Sequence, residues 1–387
     1  MTGRNDPALA EEIAQRLIAI YGRIEQDLMR GLAIRLASGA DVPDWATAKL
    51  AGIRELERWV DELVAALAGE ARAETARAIV EAYKSGGAAA FEQLRRVGEQ
   101  LDEPSRLAFD VQRALPGAAA TNRLIADLVL RLDSTGLQIT RWALDAYREV
   151  IAAGVAPDVL SGVQTRYVAM QRAWSALLDR GVTGFVDRAG RNWSLSSYVE
   201  MASRTTVARA ATAGRLDQFA AQGVTLVSVS DHAHECRLCR PWERRILATS
   251  GPDGDRTVEL RNEVTGGSER VEISGTVSEA TRAGLLHPNC EHGLNPYIHG
   301  ATVLPKPEPD PDGDAARQRQ RALERRIRTL KARRDAVIDP TQGPRLASAL
   351  RATQAELREH LRVANARGLT LLRRRYRERP DLGFTRK

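Results

Sequence analysis

At 387 residues the chain is long enough for two or three domains, and its 43% apolar content supplies a real core. Aromatics make up only 5%, and the abundance of Ala, Leu and Arg favours helices over sheet sandwiches. Three cysteines are too few, and odd in number, for a disulfide framework; no apolar run approaches a membrane span, and the polar N-terminus does not read as a secretory signal. These features point to folding in a reducing cytoplasm.

Residues 7–37 read as one helix: Leu9, Ile13, Leu17, Ile20, Ile24, Leu28 and Leu32 recur every three or four positions after Asp6-Pro7. A second helix fits 44–68, and helical periodicity continues over 70–84, 88–101 and 104–114. After Pro116-Gly117 a long helical stretch fits 119–154, and another fits 157–180, ending at Gly181. Residues 181–191 read as a turn or small hairpin, 196–222 as a helix capped by Ser194 or Ser196, and 224–230 as a strand. Thr257–Leu260 and Arg270–Ile273 flank Gly266-Gly267 as a hairpin, and Ser278 is expected to cap a short helix. A proline-rich linker at 305–314 precedes two basic helices, about 315–337 and 344–376. A leucine seam (Leu323, Ile327, Leu330; Leu346, Leu350, Leu357, Leu361) should pair them as an antiparallel hairpin.

The expected fold is mainly α: a helical bundle (1–180), a small α+β zinc-stabilised module (181–300), a linker (301–316) and a basic helical-hairpin tail (317–387). Residues 317–387 hold 21 Lys and Arg against 7 Asp and Glu, a net +14, whereas the whole chain is +7; residues 1–316 are therefore at −7. This asymmetry points to a polyanion or an acidic protein surface as partner, or to a solvated helical face. The cations expected to meet it are Arg325, Arg326, Arg328, Lys331, Arg333, Arg334, Arg373, Arg374 and Arg375. Contact of this kind with DNA phosphates would be independent of sequence and sensitive to salt.

All three cysteines and five of the six histidines fall between residues 232 and 299. Cys236 and Cys239 form a C-x-x-C pair, and Cys290 returns about fifty residues later between His287 and His292. Thiolate and imidazole are the ligands a tetrahedral Zn2+ prefers. Cys236, Cys239 and Cys290 are the ligand candidates, with His292, His287 or His232 as the fourth. A closed four-ligand site is structural, one Zn2+ per chain, and would substitute for a core in a small polar insert. A catalytic zinc would need an open position and a base, for which Glu235, Glu291 and Asp231 are available. No catalytic residue is assigned.

Several segments carry a resemblance. Trp193, Leu195, Tyr198, Glu200, Met201, Arg204 and Thr205 share one motif. Ser230, His232, Cys236, Cys239, Pro241 and Trp242 open the cluster; Gly284, Leu285, Asn289, Cys290 and His292 close it; Pro296, Tyr297 and Gly300 follow. In this order they resemble the phage minor capsid protein 2 family, relatives of the Mu F-type head morphogenesis proteins. The helix around Gln320, Arg321, Glu324, Arg325, Ile327 and Arg328 resembles the family's next segment. The chain departs from the pattern twice: Glu291 replaces a basic residue, and Glu243 with Arg244 stands where a Gly usually follows the Trp.

The resemblance implies a structural minor head protein of a tailed phage, made in the host cytoplasm and located in the virion. It would assemble with the portal and major capsid proteins inside the procapsid, and meet packaged double-stranded DNA during packaging or delivery. It implies no membrane and no small-molecule substrate. The alternatives are a zinc-dependent hydrolase or nuclease, a toxin-like effector, and a non-specific nucleic-acid-binding protein.

Overall fold

The computed structural model describes residues 7–103, 118–182, 185–186, 192–231, 237–287, 290, 292–304, 311–369 and 371. It is mainly helical, with a small antiparallel β region. In chain order the helices and strands are α1 (Pro7–Ala37), α2 (Trp45–Ala51), α3 (Ile53–Gly98), α4 (Ala118–Asp133), α5 (Thr135–Gly154), α6 (Pro157–Leu160), α7 (Arg166–Arg180), β1 (Phe185–Val186), β2 (Asn192–Trp193), α8 (Leu195–Ala221), β3 (Leu226–Val229), β4 (Ile246–Ala248), β5 (Asp255–Arg261), β6 (Ser268–Ser274), α9 (Val277–Arg282), β7 (Leu294–Pro296), α10 (Pro311–Asp335) and α11 (Gly343–Ala366). Among the described residues no helix is long and apolar enough to cross a membrane.

α1 spans the expected range, and its stripe Ile13, Leu17, Ile20, Leu28 and Leu32 is buried. The expected helices at 44–68, 70–84 and 88–101 are instead one short helix and the 46-residue α3. Neither Gly69 nor Gly86-Gly87 breaks α3. The stretch 119–154 is two helices, divided at Ser134. The stretch 157–180 is α6, a turn, and α7, whose N-terminus is capped by the Thr165 hydroxyl accepting from Val168 N at 3.3 Å. Gly181 ends α7 with φ 69°, the left-handed conformation glycine adopts freely. The cap of α9 is Thr276, not Ser278: Thr276 and Glu279 form a reciprocal capping box. The expected helix at 104–114 lies outside the described residues.

The helices and strands group into two compact units. One comprises 1–14, 76–127 and 201–315; the other 15–75, 128–200 and 316–387. In the first unit β3 is the central strand of an antiparallel sheet ordered β4-β3-β7, and β5-β6 form a separate hairpin. The expectation that the Cys/His module has little core of its own needs correction. Val227, Val229, Leu247, Val277, Leu285 and Leu294 form one buried cluster with Ala90 and Leu94 of α3 and Phe219 of α8. The two helices thus supply the large apolar surfaces that the module's short strands lack. Here α3 and α8 approach backbone to backbone: a Cβ on Gly86 would lie 2.6 Å from the carbonyl carbon of Ala211, and one on Gly214 would lie 2.8 Å from that of Tyr83. In the same unit Arg204 pairs with Glu11 at 3.0 Å, both side chains nearly buried.

In the second unit Trp45 and Trp174 are buried anchors that also satisfy their ring N–H groups, on Leu36 O at 3.0 Å and Ala336 O at 2.6 Å. α10 and α11 join through the expected seam: Leu323, Ile327, Leu330, Leu350, Leu357 and Leu361 are buried together, with Leu346 packed against them. A proline-rich linker suggests a hairpin free to move. Instead, the hairpin's turn is held by α7. Gln171 accepts from Ile338 N at 2.7 Å and Asp339 N at 2.9 Å, beside the Trp174 bond to Ala336.

Candidate metal centre and basic hairpin

Strand pairing brings the cysteines and histidine together. β3 runs antiparallel to β7 with Val229 opposite Leu294, so the segment leaving β3 and the segment entering β7 lie side by side. Ser230 N donates to Gly293 O at 2.9 Å, and Gly293 N to the Ser230 hydroxyl at 2.8 Å, locking this end of the sheet. On the other side of β3, Arg244 N bonds Val229 O at 3.0 Å. The loop carrying Cys239 and Glu243 is therefore fastened to the strand end where Cys290 and His292 arrive.

Cys239 Sγ lies 3.5 Å from Cys290 Sγ, and Cys290 Sγ lies 3.3 Å from His292 Nδ1. The three ligand atoms are all within 4.8 Å of one another. The sulfurs are free thiols, far outside the roughly 2.05 Å of a disulfide. A tetrahedral zinc with Zn–S near 2.3 Å and Zn–N near 2.05 Å implies S···S of about 3.8 Å and S···N of about 3.6 Å. The Cys239–Cys290 and Cys290–His292 separations differ from these by a few tenths of an ångström, and the third pair lies within 4.8 Å, so the trio is compact enough for such an ion. Cys239 is fully buried and His292 nearly so, and His292 N donates to Cys290 Sγ at 3.4 Å. Water is largely excluded from Cys239 and His292, while Cys290 is half-buried.

The electrostatics favour a ligating sulfur. The hydrogen bond with Cys239 lowers the Cys290 thiol to about 4; burial opposes this, and His292 reinforces it. Burial depresses the His292 imidazole, but its bonds with Cys290 and Glu243 outweigh that and hold it near 9. Both shifts favour the charged pair, thiolate beside imidazolium, and an ion held by these groups would have to displace a proton from the imidazole.

Of the expected ligands, Cys239, Cys290 and His292 meet. Cys236 and His232 lie outside the described residues, as do Glu235 and Glu291. His287 is not in the group; its carbonyl accepts from Cys290 N at 2.9 Å and shapes the turn. Glu243 was not anticipated by ligand spacing. Its carboxylate bonds His292 Nε2, with side chains 7% and 4% exposed. The one available signal was its place in the motif, where Glu243 and Arg244 together stand in place of one Gly.

The basic hairpin divides its cations. Arg328 pairs with Glu200 at 3.4 Å, and Arg333 with Asp179, both within the second unit. Arg326 reaches Glu356 at 4.0 Å, and Arg334 pairs with Asp335 at 2.7 Å. Lys331 is half-buried, and Arg325 is exposed, as are Arg351 and Arg358 on α11. Arg373, Arg374 and Arg375 lie outside the described residues.

Comparisons with known proteins agree with the motif order. A structural protein of Lactococcus phage LL-H is 26% identical over 225 residues, which are 56% of this chain and 58% of that protein. The match thus spans less than two thirds of the relative's length. No solved structure matches. The phage minor capsid protein 2 family matches residues 6–362, nearly the whole sequence, and on that extent the chain belongs to this family of phage structural proteins.

Proposed function

We propose that this chain is a structural minor component of a tailed-phage head, assembled with the portal and major capsid proteins on the interior of the procapsid and serving head assembly, DNA packaging or delivery. Synthesis would be in the host cytoplasm and the final location the virion. The observation that carries the reading is the family match along residues 6–362. The test is the set of proteins that co-purify with the chain from assembled particles. Portal and major capsid protein are expected, and their absence from particles that contain this chain would overturn the proposal.

Within that role, the reading of the Cys/His cluster is one structural Zn2+ per chain, held by Cys236, Cys239, Cys290 and His292. The mutually close trio of buried Cys239, half-buried Cys290 and buried His292 supports it. Protein prepared without chelator should carry about one equivalent of zinc by elemental analysis, and Cys290→Ser should release it. No metal in the unmodified chain would refute this part alone.

The hairpin's outward cations supply a surface for DNA phosphates or for an acidic protein face; the leucine seam is spent within the hairpin and favours neither. If DNA is the partner, replacing Arg373, Arg374 and Arg375 with Gln should reduce the salt slope of binding by up to about three. An unchanged slope with lost incorporation into heads would assign the surface to protein.

A further inference from the structure

We propose that Glu243 is the carboxylate that orients His292 for metal binding, fixing Nδ1 as the ligand atom and Nε2 as the hydrogen-bonded one; this rests on the metal-centre reading above. An imidazole offers two nitrogens, and a metal-bound histidine usually gives its second N–H to a carboxylate or carbonyl, which fixes ring orientation and tautomer. Here the division is already made. Nδ1 faces Cys290 Sγ at 3.3 Å and belongs to the ligand trio, while Nε2 is bonded to Glu243 Oε1. With the two side chains 4% and 7% exposed, turning the ring over would strand a carboxylate that water cannot reach.

The backbone ties the orienting group to a ligand. Cys239 precedes a single 3₁₀ turn, Arg240–Trp242, with Trp242 N on Cys239 O at 2.8 Å and Glu243 N on Arg240 O at 3.3 Å. Cys239 and Glu243 therefore sit at the two ends of one tight turn, and neither can shift without the other. The next residue, Arg244, has φ 64°, left-handed for a residue with a side chain, and its N–H then bonds Val229 O. Such a conformation costs about 1 kcal/mol and persists only where the surroundings hold it. The chain thus accepts a strained residue at the point that carries Glu243 back over His292. Where the resemblance has a single glycine after the Trp, this protein has two residues, the carboxylate Glu243 and the left-handed Arg244.

The test is a competition titration of the metal-stripped full chain with Zn2+ against a chromophoric chelator, for the unmodified protein, Glu243→Gln and Cys290→Ser. The unmodified protein should bind one Zn2+, and Cys290→Ser should lose tight binding. Glu243→Gln should still bind one Zn2+ but about 10–100-fold more weakly, with the metal-free variant still fully folded at the titration temperature by far-UV circular dichroism. Affinity for Glu243→Gln equal to that of the unmodified chain would overturn the orienting role and leave the metal site standing. A metal-free Glu243→Gln chain that is unfolded at the titration temperature would also overturn it, by making Glu243 a brace of the fold. No zinc bound by the unmodified protein would remove the metal reading itself, and the proposal with it.

Discussion

Gly86→Ala should destabilise the protein, although alanine is the better helix former. Gly86 sits inside the 46-residue α3, where replacing glycine with alanine gains about 1 kcal/mol from propensity alone. A Cβ there would lie 2.6 Å from the carbonyl carbon of Ala211 and 2.9 Å from its Cα, and closer still to its oxygen. Carbon pairs rest at about 3.5–4.0 Å, so the two helices must part by roughly 1 Å. Both elements are backbone in regular helix, so no side-chain rotation relieves the clash. Parting them loosens the cluster that Ala90, Leu94 and Phe219 form with the sheet. Overpacking costs about 1–3 kcal/mol, and the rigid partner places this case at the upper end, for a net loss of about 2 kcal/mol after the propensity gain. Gly214→Ala attacks the same crossing from the other side, so the double variant should lose less than the sum of the two. Gly69→Ala is the control: it lies in the same helix, is exposed, and its Cβ would meet nothing within 4 Å, so it should stabilise by about 0.5–1 kcal/mol. Urea unfolding followed by far-UV circular dichroism reads both signs. Equal midpoints for Gly86→Ala and Gly69→Ala would refute the close helix crossing.

Burial raises the Glu25 carboxyl to about 7, against which the bond from Val182 N, the Arg328 charge and Ser196 act in the other direction. Because the folded state holds this proton more tightly than the unfolded one, stability should fall as pH rises from about 4.5 to about 7; Glu25→Gln should flatten that window and raise stability at pH 8 by about 1–3 kcal/mol, read as melting temperature against pH. Arg204→Ala removes the 3.0 Å partner of the buried Glu11 carboxylate and should cost about 3 kcal/mol, whereas replacing both residues with Met should cost much less; equal losses in chemical denaturation would show that the pair is not coupled. Arg244→Gly relieves a φ of 64° and should stabilise the protein by up to about 1 kcal/mol, read as a higher thermal midpoint; a lower midpoint would mean that the arginine side chain outweighs its backbone strain.

Where one stripe of apolar residues faces one core, the sequence is easy to read, and α1 emerges from its three-and-four spacing with both ends in place. Glycine misleads at Gly86-Gly87 because its local meaning, a weak point in a helix, is overridden by a partner backbone that leaves no room for a Cβ. The break at Ser134 is marked only by Gly136, which lies inside the helix that follows it. Nothing along the chain announces that 76–127 and 201–315 pack together, since periodicity fixes a buried face and not what buries it. In the site, Cys239, Cys290 and His292 are legible because cysteine and histidine are scarce here and fall in one window. Glu243 is one of 50 acidic residues, and only a fold that sets two strand ends side by side distinguishes it from the others.

The hairpin's charge invites a simple experiment, its removal, which the packing makes uninformative. Trp174 is completely buried and gives its ring N–H to Ala336 O, and Gln171 accepts from the two amides that follow. Cutting the chain before α10 would uncover a tryptophan and leave the Gln171 carbonyl without both partners, so loss of any function would report damaged packing in the second unit. Arg328 and Arg333 have the same difficulty, because each neutralises a carboxylate of that unit. Arg351 and Arg358 are different: they are exposed, seven residues apart, and therefore lie on one face of α11 about 10.5 Å apart along its axis. Replacing both with Gln leaves the seam intact, so any change in salt-dependent binding or in head incorporation can be assigned to the surface itself.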